Sequence, residues 1–227
     1  GVLNADLIQG KFQAAQQIVD HHTFLPVHRT YELRDLYREL EYGMGAQAFN
    51  KGNYEQALKY FQAALKLPAS LGMDDFEQQS TPRIHYYIGR ALDALGRKQE
   101  AKQAYQESIR DVDQLTGGDS ESWSPDNFFM VFSLKQLGRD PEAENLLKQL
   151  GRDQEAENLV KQFQTVAGSR LESEDPQRSS RAYYLRGLID KFEGNSDLAK
   201  KQMEQAVQIE PDYIGPRYEL HGYAIDP

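Results

Sequence analysis

Glycine and alanine recur along this chain at one spacing, and this recurrence limits the possible folds more than any other feature. A glycine stands five residues before an alanine in six places: Gly10/Ala15, Gly52/Ala57, Gly96/Ala101, Gly138/Ala143, Gly151/Ala156 and Gly194/Ala199. A bulky apolar residue follows each alanine four positions later: Val19, Phe61, Tyr105, Leu147, Val160 and Met203. Such repetition predicts one supersecondary unit that is stacked several times, and stacked units generally bind other molecules rather than catalyse.

Each unit is expected to contain a helix, a turn that carries the glycine, and a second helix. The glycine falls where the first helix ends, and a left-handed residue is needed there. In three units another glycine stands twelve residues before the alanine: Gly45, Gly89 and Gly187. These small residues predict a crossing at which two helices approach closely, with the bulky residue filling the space above the contact.

The pattern resembles the tetratricopeptide repeat. The stretches that carry the resemblance run from Tyr42 to Ala57, from Ile88 to Ala101 and from Tyr183 to Ala199, and Ile209-Glu-Pro-Asp is similar to the usual terminator of that repeat. The resemblance implies an all-α, right-handed α-solenoid of antiparallel helix pairs. About four pairs are expected, together with a partial unit at the N-terminus.

The repeat phase divides the chain into an N-terminal partial repeat with its connector (1–35) and a region of repeats with a C-terminal capping helix (36–227). The repeats are expected at about 36–71, 82–115, 124–165 and 180–213. We expect helices near 30–50, 54–67, 82–95, 98–113, 126–137, 141–150, 179–193, 196–209 and 213–220.

Between Ala57 and Ala101 the chain advances 44 residues (101 − 57), whereas a tetratricopeptide repeat needs about 34. The excess predicts a spacer at 69–81, and similar spacers are expected at 115–125 and 168–180.

A short tandem duplication interrupts this order. The segment from Leu134 to Leu146 recurs as Leu147 to Leu159, with Gln154 in place of Pro141 as the single change. Gly151 is expected to end one helix and begin another, although a lengthened helix that contains it is the alternative. No function is assigned to the duplication.

Composition excludes several classes of site. The chain has no cysteine and a formal charge of −9, so disulfides, zinc-thiolate sites and thiol nucleophiles are excluded, and the charge argues against sequence-independent nucleic-acid binding. No apolar run approaches the ~18 residues of a membrane span. The histidines lack ligand spacing, so neither a metal nor a cofactor is expected. The cytoplasm is favoured, and export stays open.

Aromatic and arginine residues on the first helices are the candidate partner-binding residues. In each aromatic doublet one ring is expected to enter the core and its neighbour to face the concave groove. Tyrosine and arginine suit a peptide or a partner helix. The candidates are Tyr42, Arg83, Tyr86, Tyr87, Arg90, Phe128, Arg181 and Tyr184. Packing between repeats is the alternative role for the rings.

The carboxylate clamp of some tetratricopeptide proteins is absent at the matching positions, where Tyr42 and Ala46 stand. The expected function is a non-catalytic scaffold for protein–protein or interdomain contacts. Two alternatives remain: an accessory region of a larger carbohydrate-active enzyme, or a groove that binds a small molecule or sugar.

A looser resemblance concerns His22-Thr-Phe-Leu-Pro and the segment from Ala63 to Gly72. Both are similar to the helical-repeat C-terminal region of large bacterial proteins with β-rich domains upstream. This resemblance implies that the chain is part of a longer polypeptide. An upstream domain of that polypeptide would then be a possible partner for the repeats.

Overall fold

Helices account for the regular structure of the described chain, and no strand occurs there. The computed structural model describes residues 1–22, 30–66, 68, 81–110, 125–138, 155–170, 175–222 and 224. The helices are α1 (Val2–Ile8), α2 (Phe12–His21), α3 (Thr30–Asn50), α4 (Tyr54–Ala63), α5 (Pro82–Ala94), α6 (Lys98–Ser108), a 3-10 helix (Pro125–Phe128), α7 (Phe129–Leu137), α8 (Glu155–Arg170), α9 (Pro176–Phe192), α10 (Ser196–Ile209) and α11 (Ile214–Leu220). The expected all-α solenoid of helix pairs is confirmed.

The helix boundaries agree best with the sequence where a glycine turn separates two helices. Helices α3, α5 and α10 begin and end within one residue of their expected positions. The spacer expected at 168–180 is wrong, because α8 continues to Arg170 and α9 begins at Pro176. Asp175 caps α9 by accepting a 3.0 Å hydrogen bond from the Gln177 amide, and proline is favoured at the first helical position. The expected helix at 141–150 and Gly151 lie outside the described residues, and so do the spacers at 69–81 and 115–125 except for their last residues. The repeat boundaries stay predictions.

The turn glycines adopt the expected conformation in four units. Their φ angles are positive: 67° at Gly10, 78° at Gly52, 75° at Gly96 and 86° at Gly194. Gly138 differs, because it ends α7 in the right-handed region with φ −66°.

The second set of glycines provides the close helix crossings that the spacing predicts. A Cβ atom added at Gly45 would lie inside contact distance of the Phe61 ring, and one at Gly89 would overlap the Tyr105 ring. At Gly187 the added atom would lie 2.8 Å from Cγ of Met203. In each pair the first helix has no side chain at the point where the second helix inserts its bulky residue.

The last helix closes the array onto its beginning. Tyr218 of α11 lies between Phe12 of α2 and Tyr42 of α3, with ring centroids 5.7 and 5.8 Å away. Its hydroxyl donates a 3.2 Å hydrogen bond to the Glu39 carbonyl. Beyond the helix, the Asn50 amide donates to the carbonyl of Gly222 at 3.0 Å. The helix expected as a terminal cap therefore also contacts the first two helix pairs.

Aromatic rings fill the interior between the first helices of successive pairs. Tyr42 contacts Tyr87 with a centroid distance of 4.8 Å, and Tyr87 contacts Phe129 at 5.4 Å. We call Phe12, Tyr42, Tyr87, Phe129 and Tyr218 the aromatic core. All five rings are buried, and burying large rings is a main source of folding free energy.

None of the helices in the described ranges combines the length and the apolar character needed to cross a bilayer.

One buried carboxyl makes the stability of the array depend on pH. Glu41 of α3 is 5% exposed. Burial is the main cause that raises the pKa of Glu41 to about 7, although a hydrogen bond with Tyr37 opposes the shift. The native chain therefore keeps this proton up to about pH 7, whereas the unfolded chain loses it near its ordinary value of 4.5. Stability from this group is complete below pH 4.5 and is lost as the pH rises through 7.

Replacing Gly89 by alanine tests the helix crossing. Gly89→Ala should lower the free energy of unfolding by about 1–3 kcal/mol, because the Tyr105 ring has to move. Gly168→Ala on α8 is the matched control, since an added Cβ meets nothing within 4 Å; it should raise stability by up to about 1 kcal/mol. Urea unfolding measures both variants. Equal effects of the two substitutions would remove the close crossing from the explanation.

Glu41→Gln tests the pH dependence. The variant should match the wild type at pH 4 and exceed its unfolding free energy at pH 8 by about 1–3 kcal/mol, because glutamine removes the cost of ionising a buried group. Thermal or urea unfolding across this range measures the difference. A difference that does not change with pH would contradict the assignment.

Candidate binding site

A cavity of about 1100 Å³ opens where the first helices of the pairs begin. Its described lining comes mainly from the start of α5, the 3-10 helix, the first half of α9, the start of α11 and the first half of α3, with smaller parts from α1 and α8. We call it the Arg83 cavity. The residues that we use below are Arg38, Glu39, Tyr42, Arg83, Asp126, Arg181, Tyr184 and Tyr213.

Arg83 connects three of these elements. Its Nη1 atom lies 2.7 Å from Oε1 of Glu39 and 3.5 Å from Oδ1 of Asp126. Its Nη2 atom donates to Oε2 of Glu39 at 3.4 Å, so the Glu39 contact is bidentate. The guanidinium carbon lies 3.9 Å from the centroid of the Tyr42 ring. One side chain of α5 therefore joins α3 and the 3-10 helix through charge and through a cation–π contact.

The charge of Arg83 is maintained although the side chain is only 7% exposed. Burial lowers the pKa of Arg83, but the carboxylates of Glu39 and Asp126 more than offset burial, so that the pKa lies well above its ordinary value. A buried cation that is paired in this way is costly to leave without its partners. Arg83 therefore has a structural role in addition to lining the cavity.

Tyr184 and Tyr213 form an aromatic corner of the cavity. Their ring centroids lie 5.5 Å apart in an edge-to-face arrangement. Tyr184 is 1% exposed, and Gly215 leaves room for its ring, because an added Cβ would lie 2.7 Å from Cε1 of Tyr184. Burial raises the pKa of Tyr184 well above its ordinary value, so the hydroxyl keeps its proton.

Arg38 is another partly buried cation on the lining, as is Arg34. Burial lowers the pKa of Arg38, and the nearby charge of Arg34 lowers it further. Arg34 itself lies 2.9 Å from Oδ1 of Asp35. Arginine nevertheless stays protonated in proteins. The carboxylates of Asp35 and Asp126 oppose the lowering of the Arg38 pKa, and burial is the largest of these effects.

Four of the eight candidate residues meet at this cavity: Tyr42, Arg83, Arg181 and Tyr184. Arg181 is exposed, whereas the other three are buried at its wall. The structure thus brings together candidates from three different repeats.

The other four candidates lie elsewhere. Tyr86 and Tyr87 are both buried, and so are Phe128 and its neighbour Phe129. The expectation that one ring of each doublet faces a groove is wrong at these two doublets, because adjacent first helices and α11 fill the interior. Arg90 is half-buried, and its Nη1 atom donates a 2.8 Å hydrogen bond to the Tyr86 hydroxyl. These residues contribute to packing between repeats.

Sequence reasoning missed Arg38, Glu39, Asp126 and Tyr213. The repeat phase contains a signal for two of them: Glu39 stands 44 residues before Arg83, and Asp126 stands 43 residues after it. The 44-residue interval equals the one between Ala57 and Ala101, so Glu39 and Arg83 occupy equivalent places on successive first helices. Asp126 is one residue out of this phase, because Ala101 and Ala143 are 42 residues apart, and it lies on the 3-10 helix. Aligning the repeats and searching for opposite charges in the same place would have found the pairing.

Comparison with known families agrees with this architecture. A family model described as tetratricopeptide repeat matches residues 47–70, 82–110 and 180–213. The second and third segments contain the α5–α6 pair and nearly all of the α9–α10 pair. No curated protein sequence is significantly similar to the chain.

A double-mutant cycle tests the Arg83–Glu39 contact. Arg83→Met should cost about 3–5 kcal/mol of stability at pH 7, because a buried carboxylate loses its partner. Adding Glu39→Gln should recover part of that cost. The loss in Arg83→Met should also shrink at pH 4, where Glu39 is neutralised more easily. Urea unfolding of the four proteins measures the coupling, and costs that simply add would contradict it.

Proposed function

Because the chain contains tetratricopeptide repeats, which generally mediate protein–protein interaction, we propose that it is a non-catalytic interaction scaffold. Its partner is a segment of another protein or of an upstream domain. The observation that carries the proposal is the Arg83 cavity, an opening of about 1100 Å³ at the start of the first helices.

The interior of the solenoid supports this choice of surface. Rings of successive first helices contact one another there, and Tyr218 of α11 occupies the space between Phe12 and Tyr42. A partner segment that entered this interior would have to displace buried aromatic residues. Displacing them is costly, because each buried ring contributes about 1.5–3 kcal/mol. The cavity requires no such displacement.

The side chains of the cavity suit a peptide. Arg181 is exposed, so it is accessible to a partner. Tyr213 is partly exposed on the same lining, and the buried Tyr184 ring packs against it. Tyrosine and arginine are enriched among the residues that dominate binding energy at protein interfaces. The volume is slightly above the range of ordinary small-molecule sites.

Selection of peptides from a phage-displayed random library on the immobilised chain tests the proposal. Selected peptides should bind the wild type and lose about tenfold or more in affinity to Arg181→Ala, which corresponds to at least about 1.4 kcal/mol. Fluorescence anisotropy with labelled peptides measures the affinity.

Arg186→Ala is the matched control, because it removes an exposed arginine from the same helix but outside the Arg83 cavity. It should bind the selected peptides as the wild type does. Failure to select any peptide, or equal affinity for the wild type and Arg181→Ala, would overturn the proposed site.

A further inference from the structure

The start of α11 forms part of the wall of the Arg83 cavity. Tyr213, which precedes the helix, and its first residues Ile214 and Gly215 lie on the lining. Gly215 lies against the Tyr184 ring, because an added Cβ would be 2.7 Å from Cε1 of Tyr184. Tyr213 contacts the same ring edge to face. If α11 left its place, the cavity would lose this wall and Tyr184 would lose its cover.

The contacts that hold the other end of α11 lie away from the cavity. Nζ of Lys191 lies 2.8 Å from Oε2 of Glu219, whose side chain is 5% exposed. Nδ2 of Asn50, the last residue of α3, donates to the carbonyls of Gly222 and Ala224 at 3.0 and 3.3 Å. None of these residues belongs to the lining as far as the structure describes it. Substituting Lys191 or Asn50 therefore changes the attachment of α11 without changing a side chain of the cavity.

The helical structure of α11 depends on this attachment. The helix has seven residues, which include Gly215 and Pro216, and no side chain caps its N-terminus. Isolated helices shorter than about 12–15 residues are marginal in water, and glycine and proline lower the helix propensity further. Detachment and unfolding of α11 are therefore one event. Small cooperative units of this kind open at a lower free energy than the whole chain needs to unfold.

We propose that α11 is a strap for the Arg83 cavity: the cavity forms while the helix is attached at Lys191 and Asn50, and it opens when the helix detaches. This inference rests on the proposed function and adds the regulation of the same site. A partner that binds only the closed cavity stabilises closure in proportion to its occupancy. By linkage, attachment of α11 and binding of the partner favour each other.

A single thiol on the cavity wall tests the strap without any partner. The chain has no cysteine, so Ile214→Cys introduces one reactive group at a position that is 7% exposed. Labelling of this buried thiol by iodoacetamide requires the start of α11 to open. Adding Asn50→Asp should accelerate the labelling about tenfold, because a carboxylate then faces two carbonyl oxygens in place of a donor.

Asn53→Asp is the matched control. It makes the same change of charge three residues further along the chain, at an exposed residue that precedes α4. Labelling should then proceed at the rate of the chain that carries Ile214→Cys alone. Hydrogen exchange of the amides at 217–222 reports the other end of α11. Faster exchange there in Asn50→Asp, with unchanged labelling at position 214, would show that only this end frays and would overturn the strap.

Lys191→Met is the stronger variant. It leaves the carboxylate of Glu219 buried without the ammonium group, so labelling at position 214 should accelerate about a hundredfold. Adding Glu219→Gln should restore most of the slow rate. Circular dichroism verifies that the other helices remain folded. Unchanged labelling in both Lys191→Met and Asn50→Asp would also overturn the strap.

Peptides selected on the chain connect the strap to binding. At a peptide concentration about ten times its Kd, opening of α11 should become about tenfold rarer, and exchange of the amides at 217–222 should slow by that factor. These amides lie outside the cavity lining, so the peptide does not shield them directly. A peptide that binds and leaves this exchange unchanged would overturn the strap and leave the scaffold function in place. If no peptide is selected, the scaffold function fails, and the labelling rates alone support or overturn the strap.

Discussion

The fold depends on the insertion of a bulky ring or thioether over a glycine in three of the helix pairs. Gly45 receives Phe61, Gly89 receives Tyr105 and Gly187 receives Met203. The absence of a Cβ atom lets the two helices of a pair approach closely, and the inserted side chain fills the space so that little void is left. Because the same contact recurs in each of these pairs, the pairs stack with similar geometry.

Because α11 closes the array, the surface that is accessible to a partner differs from that of an open stack of helix pairs. In an open array the inner wall is a continuous surface, but here Tyr218 occupies it between Phe12 and Tyr42. Lys191 and Glu219 add a 2.8 Å ion pair between α9 and α11. The accessible polar surface then lies where the first helices begin. At that edge Arg83 of α5 joins α3 and the 3-10 helix through Glu39 and Asp126.

Much of the fold could be predicted, because glycine conformation and helix crossing depend on nearby residues. Positive φ at Gly52 and Gly96 follows from the need for a left-handed residue at a helix end. Prediction failed where distant residues decide the outcome. One ring of the Tyr86/Tyr87 doublet was expected to enter the core and the other to face the groove. Both rings are buried, because α3 and α7 approach the doublet from two sides.

By itself the sequence determined that the chain forms stacked helix pairs and where their turns and close crossings lie, because these depend on residue size and backbone freedom at fixed spacing. Only the tertiary structure decided which polar groups converge. Arg83, Tyr184 and Arg38 belong to different repeats and meet at one cavity because the array closes, with α11 lying against its beginning. Closure depends on the rotation from each helix pair to the next, summed over several pairs. The spacing of residues within one repeat does not determine that sum.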